Sequence, residues 1–221
     1  MYTTTSNVKF KQIEYVKLPN GNVDVWLHKN IRQISNGGLE SELPIYEADE
    51  VYLNLPSSVT EGIILTNFDF YFNYEKYTQL QKAIMLKKIE IGKECKERIH
   101  TGFDVELSTG IEHFTLNSED QMNLTELYRR VEKGDEKIEY HQSTTPTSFC
   151  KYYSNSEMSK IIEFSKYFVS FHTTYCNSLY VYLDNLTDME QLNSIRYGIE
   201  IPEAYQSEVL RDYLKINNLF G

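Results

Sequence analysis

His172 and Cys176 form the only His–Cys pair at metal-ligand spacing in this sequence. Residues four apart on a helix share one face, so both side chains would reach the same ion. A structural zinc ion takes about four protein ligands, and no second pair completes this one. The pair also lacks a third group that would orient it toward a substrate atom. We therefore expect neither a metal site nor a nucleophilic centre here.

Polar residues extend this pair at Thr173, Thr174 and Asn177, on a helix that is otherwise rich in aromatic side chains. The apolar stripe of that helix recurs at steps of three and four, at Ile161, Phe164, Phe168, Phe171, Tyr175, Leu179, Tyr182 and Leu186. Burial of this apolar stripe in a core does not explain why the polar residues are present on the helix. Because buried polar groups are almost always hydrogen-bonded, we expect the cluster and His172 to bind backbone groups of a neighbouring hairpin.

Carboxylates near predicted turns are the remaining candidates for acid–base chemistry: Asp104, Glu106, Glu112, Glu119 and Asp120. In so acidic a chain such groups are mostly solvated, and we assign no acid–base pair among them. The sequence contains no phosphate-binding P-loop, no GxGxxG, no GxSxG and no HExxH. We expect no catalytic residue, no cofactor and no metal, and the chain is predicted not to be an enzyme.

The net charge of the chain is −10, from 32 acidic and 22 basic residues. A nucleic-acid binder needs a basic face that displaces counterions, so the charge argues against one. The charge is also uneven, because residues 40–75 include eight acids without Lys or Arg, whereas residues 76–100 include seven bases and three acids. This arrangement fits an internal contact, a head-to-tail contact between subunits, or simply a solvated charged surface.

The cysteine content bears on the cellular compartment of the protein, and the tyrosine content bears on its surface. Three widely spaced cysteines without a CxxC motif predict no disulfide framework and favour a reducing cytoplasm. We find no secretory leader and no apolar run long enough to span a membrane, so membrane insertion is not expected. The 18 tyrosines fit extensive protein interfaces, and they fit a low-GC genome equally well.

Short strands and turns are predicted in the first third of the chain. Alternating residues at 8–17 and 23–27 flank Asn20-Gly21, a pattern typical of a β-hairpin. A glycine-rich break at 36–38 precedes a further strand, which ends at Pro56.

A helical period replaces this pattern from 75 to 100, after a short helix that Ser58 or Thr60 is placed to cap. A helix of that length spans about 37 Å at 1.5 Å per residue. We interpret it as a spacer or as a helix shared between subunits.

Hairpins and capped helices alternate in the second half. A hairpin follows Gly102, and Ser118 is the expected N-cap of a capping box with Gln121 at N3. A second hairpin turns around 144–146, and a second capping box at 154–157 begins the longest helix.

These elements predict an α+β fold. We expect a small β-rich docking domain over 1–74, a connecting helix over 75–101, and a C-terminal α+β domain over 102–221. In the last of these, β-hairpins pack on the long helix. Shorter helical segments are expected at 188–197 and after Pro202.

Several motifs follow one another in the second half: Gly102-Phe103, Phe114-Thr115-Leu116, Glu119-Asp120-Gln121, Asn123-Leu124, Tyr140-His141, Cys150-Lys151-Tyr152 and the run from His172 through Thr173-Thr174-Tyr175 to Asn177 and Leu179. In this order they resemble a domain of tail-region proteins from bacteriophages and phage-derived tailocins of Gram-positive bacteria. The resemblance covers residues 76–186. The N-terminal part is more loosely similar to the lead-in of short tail-cluster proteins.

The resemblance implies a structural component of a phage or phage-like contractile tail, in the baseplate or tail tip or linking it to a receptor-binding fibre. Its partners would be other tail, baseplate or fibre proteins in multiple symmetric copies, within a virion or tailocin particle assembled in the bacterial host cytoplasm. No catalytic residue is carried over, and His141 and His172 would be polar core groups that join hairpin to helix.

Two alternatives stay open. One is a tail-fibre assembly chaperone that is not retained in the particle. The other is a cytoplasmic enzyme or metal-dependent regulator that uses His172 and Cys176.

Overall fold

A computed structural model describes residues 1–34, 43–141 and 149–216. The breaks expected at 36–38 and 144–146 lie outside these residues. The chain divides into two compact units, Met1–Thr78 and Gln79–Gly221. Antiparallel strands and helices follow one another in separate runs along the chain, which confirms the predicted α+β class.

The first unit comprises strands β1 (Tyr2–Ser6), β2 (Ile13–Lys17), β3 (Asn22–Ile34) and β4 (Ile45–Pro56) and helices α1 (Glu61–Thr66) and α2 (Phe68–Phe72). The strands form one antiparallel sheet in the order β1-β4-β3-β2. The hairpin predicted around Asn20-Gly21 is confirmed as β2–β3, and Gly21 adopts the left-handed φ of 83° that its turn requires. Thr60 caps α1, because its side chain accepts a hydrogen bond from the backbone N–H of Ile63.

One face of this sheet forms the core of the first unit. Val23, Val25 and Leu27 alternate along β3 and are fully buried, as the two-residue period of a strand requires. Buried residues of β4 lie opposite them on the same face, at Val51, Leu53 and Leu55. Burial of this face leaves the intervening side chains of both strands pointing to the opposite face.

The second unit comprises α3 (Gln79–Thr101), β5 (Phe103–Leu107), β6 (Gly110–Phe114), α4 (Ser118–Glu132), β7 (Lys137–Tyr140), β8 (Lys151–Ser154), α5 (Asn155–Asp184), α6 (Met189–Ser194) and α7 (Glu208–Lys215). Both predicted hairpins are confirmed, as the antiparallel pairs β5–β6 and β7–β8. The helix predicted from position 75 begins at Gln79 and belongs to the second unit, where it packs against α5.

Helix α5 passes through two hydrophobic cores. Ile161 and Phe168, in its first half, pack with the hairpins and α4. Leu179 and Leu183, in its second half, pack with α3, α6 and α7. Neither α5 nor any other helix in the described ranges is both long and apolar enough to cross a bilayer.

The capping box at the start of α5 is confirmed, with Ser154 as N-cap and Glu157 at N3. The corresponding prediction for α4 is wrong by one residue, because Asn117 rather than Ser118 is the N-cap. The Asn117 side chain accepts hydrogen bonds from the backbone N–H groups of Glu119 and Asp120. The buried Asp120 carboxylate accepts hydrogen bonds from the Asn117 backbone N–H and from the Thr115 hydroxyl, and these bonds fix the cap at Asn117.

Candidate functional site

The centre of α5 is held closely against α3. The Tyr180 hydroxyl donates a hydrogen bond to the Lys88 carbonyl oxygen at 3.1 Å. A Cβ atom at Gly92 would overlap this hydroxyl, so the Tyr180 ring occupies the space that a glycine leaves on α3. The predicted polar cluster lies one turn before Tyr180 on α5, and this packing sets its orientation.

His172 is buried and belongs to the aromatic core rather than to an outer polar face. Its Nδ1 lies 2.8 Å from the Tyr197 hydroxyl, and its ring packs edge-on against Phe168. Burial and the nearby Arg98 charge lower the pKa of His172 to about 4, so the ring is neutral at pH 7. The prediction that His172 binds a hairpin is wrong, because Tyr197 belongs to the segment that follows α6.

A second bond ties the same segment to α5. The Tyr175 hydroxyl donates to the Ile199 carbonyl oxygen at 2.6 Å, and burial raises the pKa of Tyr175 to about 12. Tyr197 also packs edge-on against Tyr175, at 5.0 Å between ring centroids. The motif residues of α5 therefore hold the C-terminal segment of the chain in place.

The Cys176 side chain meets the Cys95 side chain, which α3 supplies. The Cys95 thiol donates a hydrogen bond to the His172 carbonyl oxygen at 3.4 Å. The neighbouring Cys176 thiol and burial raise the pKa of Cys95, whereas the Cys95 thiol lowers the pKa of Cys176. Sequence reasoning missed Cys95, because it lies 77 positions from His172 and no motif marks it.

These groups are enclosed in the core of the second unit. Cys95 and Cys176 are 7% and 6% exposed, so both thiols are shielded from solvent. Within residues 1–34, 43–141 and 149–216, no three His, Cys, Asp or Glu side chains are grouped to hold a metal ion. The four-residue spacing of His172 and Cys176 thus corresponds to one turn in a buried part of α5.

The outer surface of α5 has a different character. Thr173 and Asn177 are exposed and Thr174 is half-buried, in contrast to His172. Two grooves meet at Thr174. The first, which we call the α4–α5 groove, has a volume of about 370 Å³, an apolar floor and a polar rim, and its lining includes Leu116, Leu124, Ile162, Val169, Thr173 and Thr174.

The second groove, the α5–α7 groove, has a volume of about 480 Å³ and is lined by residues that include Asn177, Ser178, Val181, Tyr205, Ser207 and Val209. Ser178 also positions α7, since its hydroxyl accepts a hydrogen bond from the backbone N–H of Ser207 at 3.2 Å. Among the described residues, neither groove is lined by Asp, Glu, His or Cys, and Lys166 is the one charged residue in the two linings. The described lining of both grooves therefore consists mainly of apolar and small polar side chains.

The candidate carboxylates are not brought together. Asp104 lies 2.7 Å from Nδ1 of His113 across the β5–β6 hairpin. Glu106 and Glu119 are exposed. His141, expected in the core, is exposed instead and packs against the ring of Tyr140.

Glu112 is the exception, because it is buried and connects the two hairpins. Its carboxylate forms an ion pair with Lys151 and accepts hydrogen bonds from Thr109 and from the Tyr153 hydroxyl, the latter at 2.8 Å. Burial favours the protonated acid, but these donors outweigh it and lower the pKa of Glu112. Glu112 is therefore an ionised structural group between β6 and β8.

No family model matches the sequence, and neither the curated proteins nor the solved structures include a significantly similar one.

Proposed function

We propose that the protein is a structural component of a phage or phage-like contractile tail, in the baseplate or tail tip or linking it to a receptor-binding fibre. In this role it acts by binding other tail, baseplate or fibre proteins in symmetric copies, without a catalytic step. It assembles in the bacterial host cytoplasm and stays in the particle.

The observation that carries this proposal is that the buried and the outward side chains of α5 have different roles. Buried polar side chains such as His172, Tyr175 and Cys176 are engaged in holding α3 and the C-terminal segment. The outward residues Thr173 and Thr174 instead line an open groove with an apolar floor. An inner face used for packing and an open groove lined mainly by apolar and hydroxyl side chains favour assembly over chemistry.

The motif order described above supports a tail protein in particular, since the helix that carries His172-Thr173-Thr174 is also the helix on which α3, α4, α7 and strands of both hairpins pack. Small hydroxyl side chains at the rim of an apolar groove permit close approach of a partner. They also supply hydrogen bonds at its edge, as interface rims commonly do.

The test is quantitative mass spectrometry of tail particles purified from a host that carries the encoding phage or tailocin. The proposal expects peptides of this chain at a constant ratio to a known tail protein. Absence of the chain from particles, together with its presence in the lysate, would overturn the structural role and favour an assembly chaperone.

Two variants test whether incorporation into particles depends on the α4–α5 groove. Thr173→Arg places a long charged side chain in the α4–α5 groove and should lower incorporation into particles severalfold. Ser159→Arg makes the same change at another exposed position of α5, outside the two grooves, and should not. Equal incorporation of both folded variants would contradict the role of the groove.

A further inference from the structure

The exposed face of the N-terminal sheet carries a compact group of aromatic, acidic and amide side chains. Strand register places Glu14, Trp26 and Tyr52 in one row and Val16, Asp24 and Asn54 in the next. We call these six residues the Trp26 face. Val16 and Tyr52 are 48% and 45% exposed, although both occupy regular strand positions.

Aromatic contact at the centre of this face is direct. Trp26 and Tyr52 are cross-strand partners, and their ring centroids lie 5.3 Å apart. Trp26 is only half-buried, and it is the single tryptophan of the chain. Two adjacent rings with accessible surface, next to the exposed Val16, form an apolar platform of the kind found at binding surfaces.

Two donors of the Trp26 face are engaged within the face itself. The Tyr52 hydroxyl and the Asn54 amide both donate to Oδ1 of Asp24, each at 2.7 Å. The Asn54 carbonyl oxygen in turn accepts from the Asn22 amide at 2.6 Å. Oδ2 of Asp24 and the Glu14 carboxylate supply further acceptors on the same face of the sheet as the two rings.

The charged residues of the Trp26 face are all acidic. Glu14 and Asp24 are acidic and none of the six residues is basic. The bonds from Tyr52 and Asn54 lower the pKa of Asp24, so its carboxylate stays ionised into the acidic range. The cross-strand register thus keeps a fixed negative charge beside the Trp26 ring.

The chemistry of the ligand follows from this arrangement. The Tyr52 hydroxyl and one Asn54 N–H are engaged by Oδ1 of Asp24, and the acidic charge of the face favours a cationic ligand over a neutral sugar. A guanidinium group has five N–H donors and no acceptor, and it stacks on aromatic faces while it pairs with carboxylates. Arginine also suits the acidic charge of the surface, because electrostatic complementarity speeds association.

We propose that the Trp26 face binds an arginine-containing segment of a partner protein, with a guanidinium group stacked on the Trp26–Tyr52 platform and paired with Asp24. This surface belongs to the first unit, whereas the proposed tail function was argued from the second. The inference therefore does not depend on that function, and the two are tested by separate experiments.

The single tryptophan makes a direct test possible with the full chain. Titration with a short arginine homopeptide should change Trp26 fluorescence saturably, and added salt should weaken the effect. Asp24→Asn keeps an oxygen acceptor for Tyr52 and Asn54 but removes the charge, and it should weaken binding about threefold. Asp212→Asn, at an exposed acid of α7, is the matched control and should leave binding unchanged.

Tyr52→Leu removes half of the platform and should weaken binding by a similar factor, with urea unfolding used to show that the variant is folded. The proposal is overturned if fluorescence shows no saturable change up to millimolar peptide, or if Asp24→Asn binds as tightly as the native chain. A neutral glucose oligomer that binds more tightly than the peptide would also overturn it, and would identify the face as a sugar platform.

Discussion

The Tyr197 hydroxyl lies 2.8 Å from Nδ1 of His172, and this contact closes the segment after α6 onto the middle of α5. The His172 ring is buried among aromatic side chains, at 4.4 Å between its centroid and that of Phe168. Protonation would place a charge in this apolar region, near the Arg98 charge that already opposes it. The contact therefore connects the stability of the second unit to pH.

Stability should fall as the pH is lowered from about 6.5 to about 4. The pKa of His172 is about 4 in the folded protein and 6.5 in its ordinary state. Between these values the unfolded chain binds the extra proton, so the free energy of unfolding decreases as pH falls, by up to roughly 3 kcal/mol. Above pH 6.5 both states are neutral and His172 contributes no pH dependence. Urea unfolding at several pH values measures the slope.

A matched pair of variants isolates this effect. His172→Gln removes the buried ionisable ring and should flatten the slope between about pH 6.5 and about pH 5.5, above the range in which most Asp and Glu side chains titrate. His141→Gln makes the same change at an exposed ring and should retain the slope. An unchanged slope in His172→Gln would show that another group is responsible.

Tyr175 should behave as a core residue. It is buried and its hydroxyl bonds Ile199, so Tyr175→Ala should lower the free energy of unfolding by about 3–5 kcal/mol. Tyr175→Phe removes only the hydroxyl and should cost about 1 kcal/mol. Chemical denaturation measures both. A loss below about 1 kcal/mol for the alanine variant would mean that this position serves an interface instead of the core.

The N-cap of α4 offers a test at adjacent positions. Asn117→Ala removes the side chain that accepts from two backbone N–H groups and should cost about 1 kcal/mol. Ser118→Ala changes the next residue, which is exposed, and should cost no more than about 0.5 kcal/mol. A larger loss at Ser118 than at Asn117, measured by thermal unfolding, would contradict the observed cap.

Gly102, between α3 and β5, should tolerate no side chain. Its φ is +88°, and a Cβ there would overlap the backbone carbonyl of Phe114 on β6. Gly102→Ala should therefore cost roughly 3 kcal/mol or more, since the hairpin must shift. Gly198 has a similar φ of +90° with open space around it, so Gly198→Ala should cost only about 1 kcal/mol. Equal losses in the two variants would refute the steric explanation.

Local patterns were sufficient for much of the fold. The alternation around Asn20-Gly21 predicted the β2–β3 hairpin, and Ser154 with Glu157 predicted the start of α5. Both signals act within a few residues, through backbone dihedral preference and capping bonds. The cap of α4 was misplaced because Asn117 and Ser118 are both good caps. The choice between them depends on the bond from Thr115 to Asp120.

Contacts between distant residues could not be predicted in this way. Nothing in the sequence pairs Cys95 with Cys176, or Lys151 with Glu112. The polar cluster was assigned to one face of α5, yet His172 is buried while Thr173 is exposed. Side-chain burial on a helix depends on which neighbours pack around it, and those neighbours come from α3, α4 and the segment after α6.

The sequence by itself determined the fold class, the hairpins, the start of α5 and the negative charge, since each depends on local propensity or composition. Only the tertiary structure decided which polar residues of α5 hold the protein together and which are left facing the two grooves. It also brought Trp26, Tyr52 and Asp24 onto one exposed surface, because strand register sets which side chains share a face.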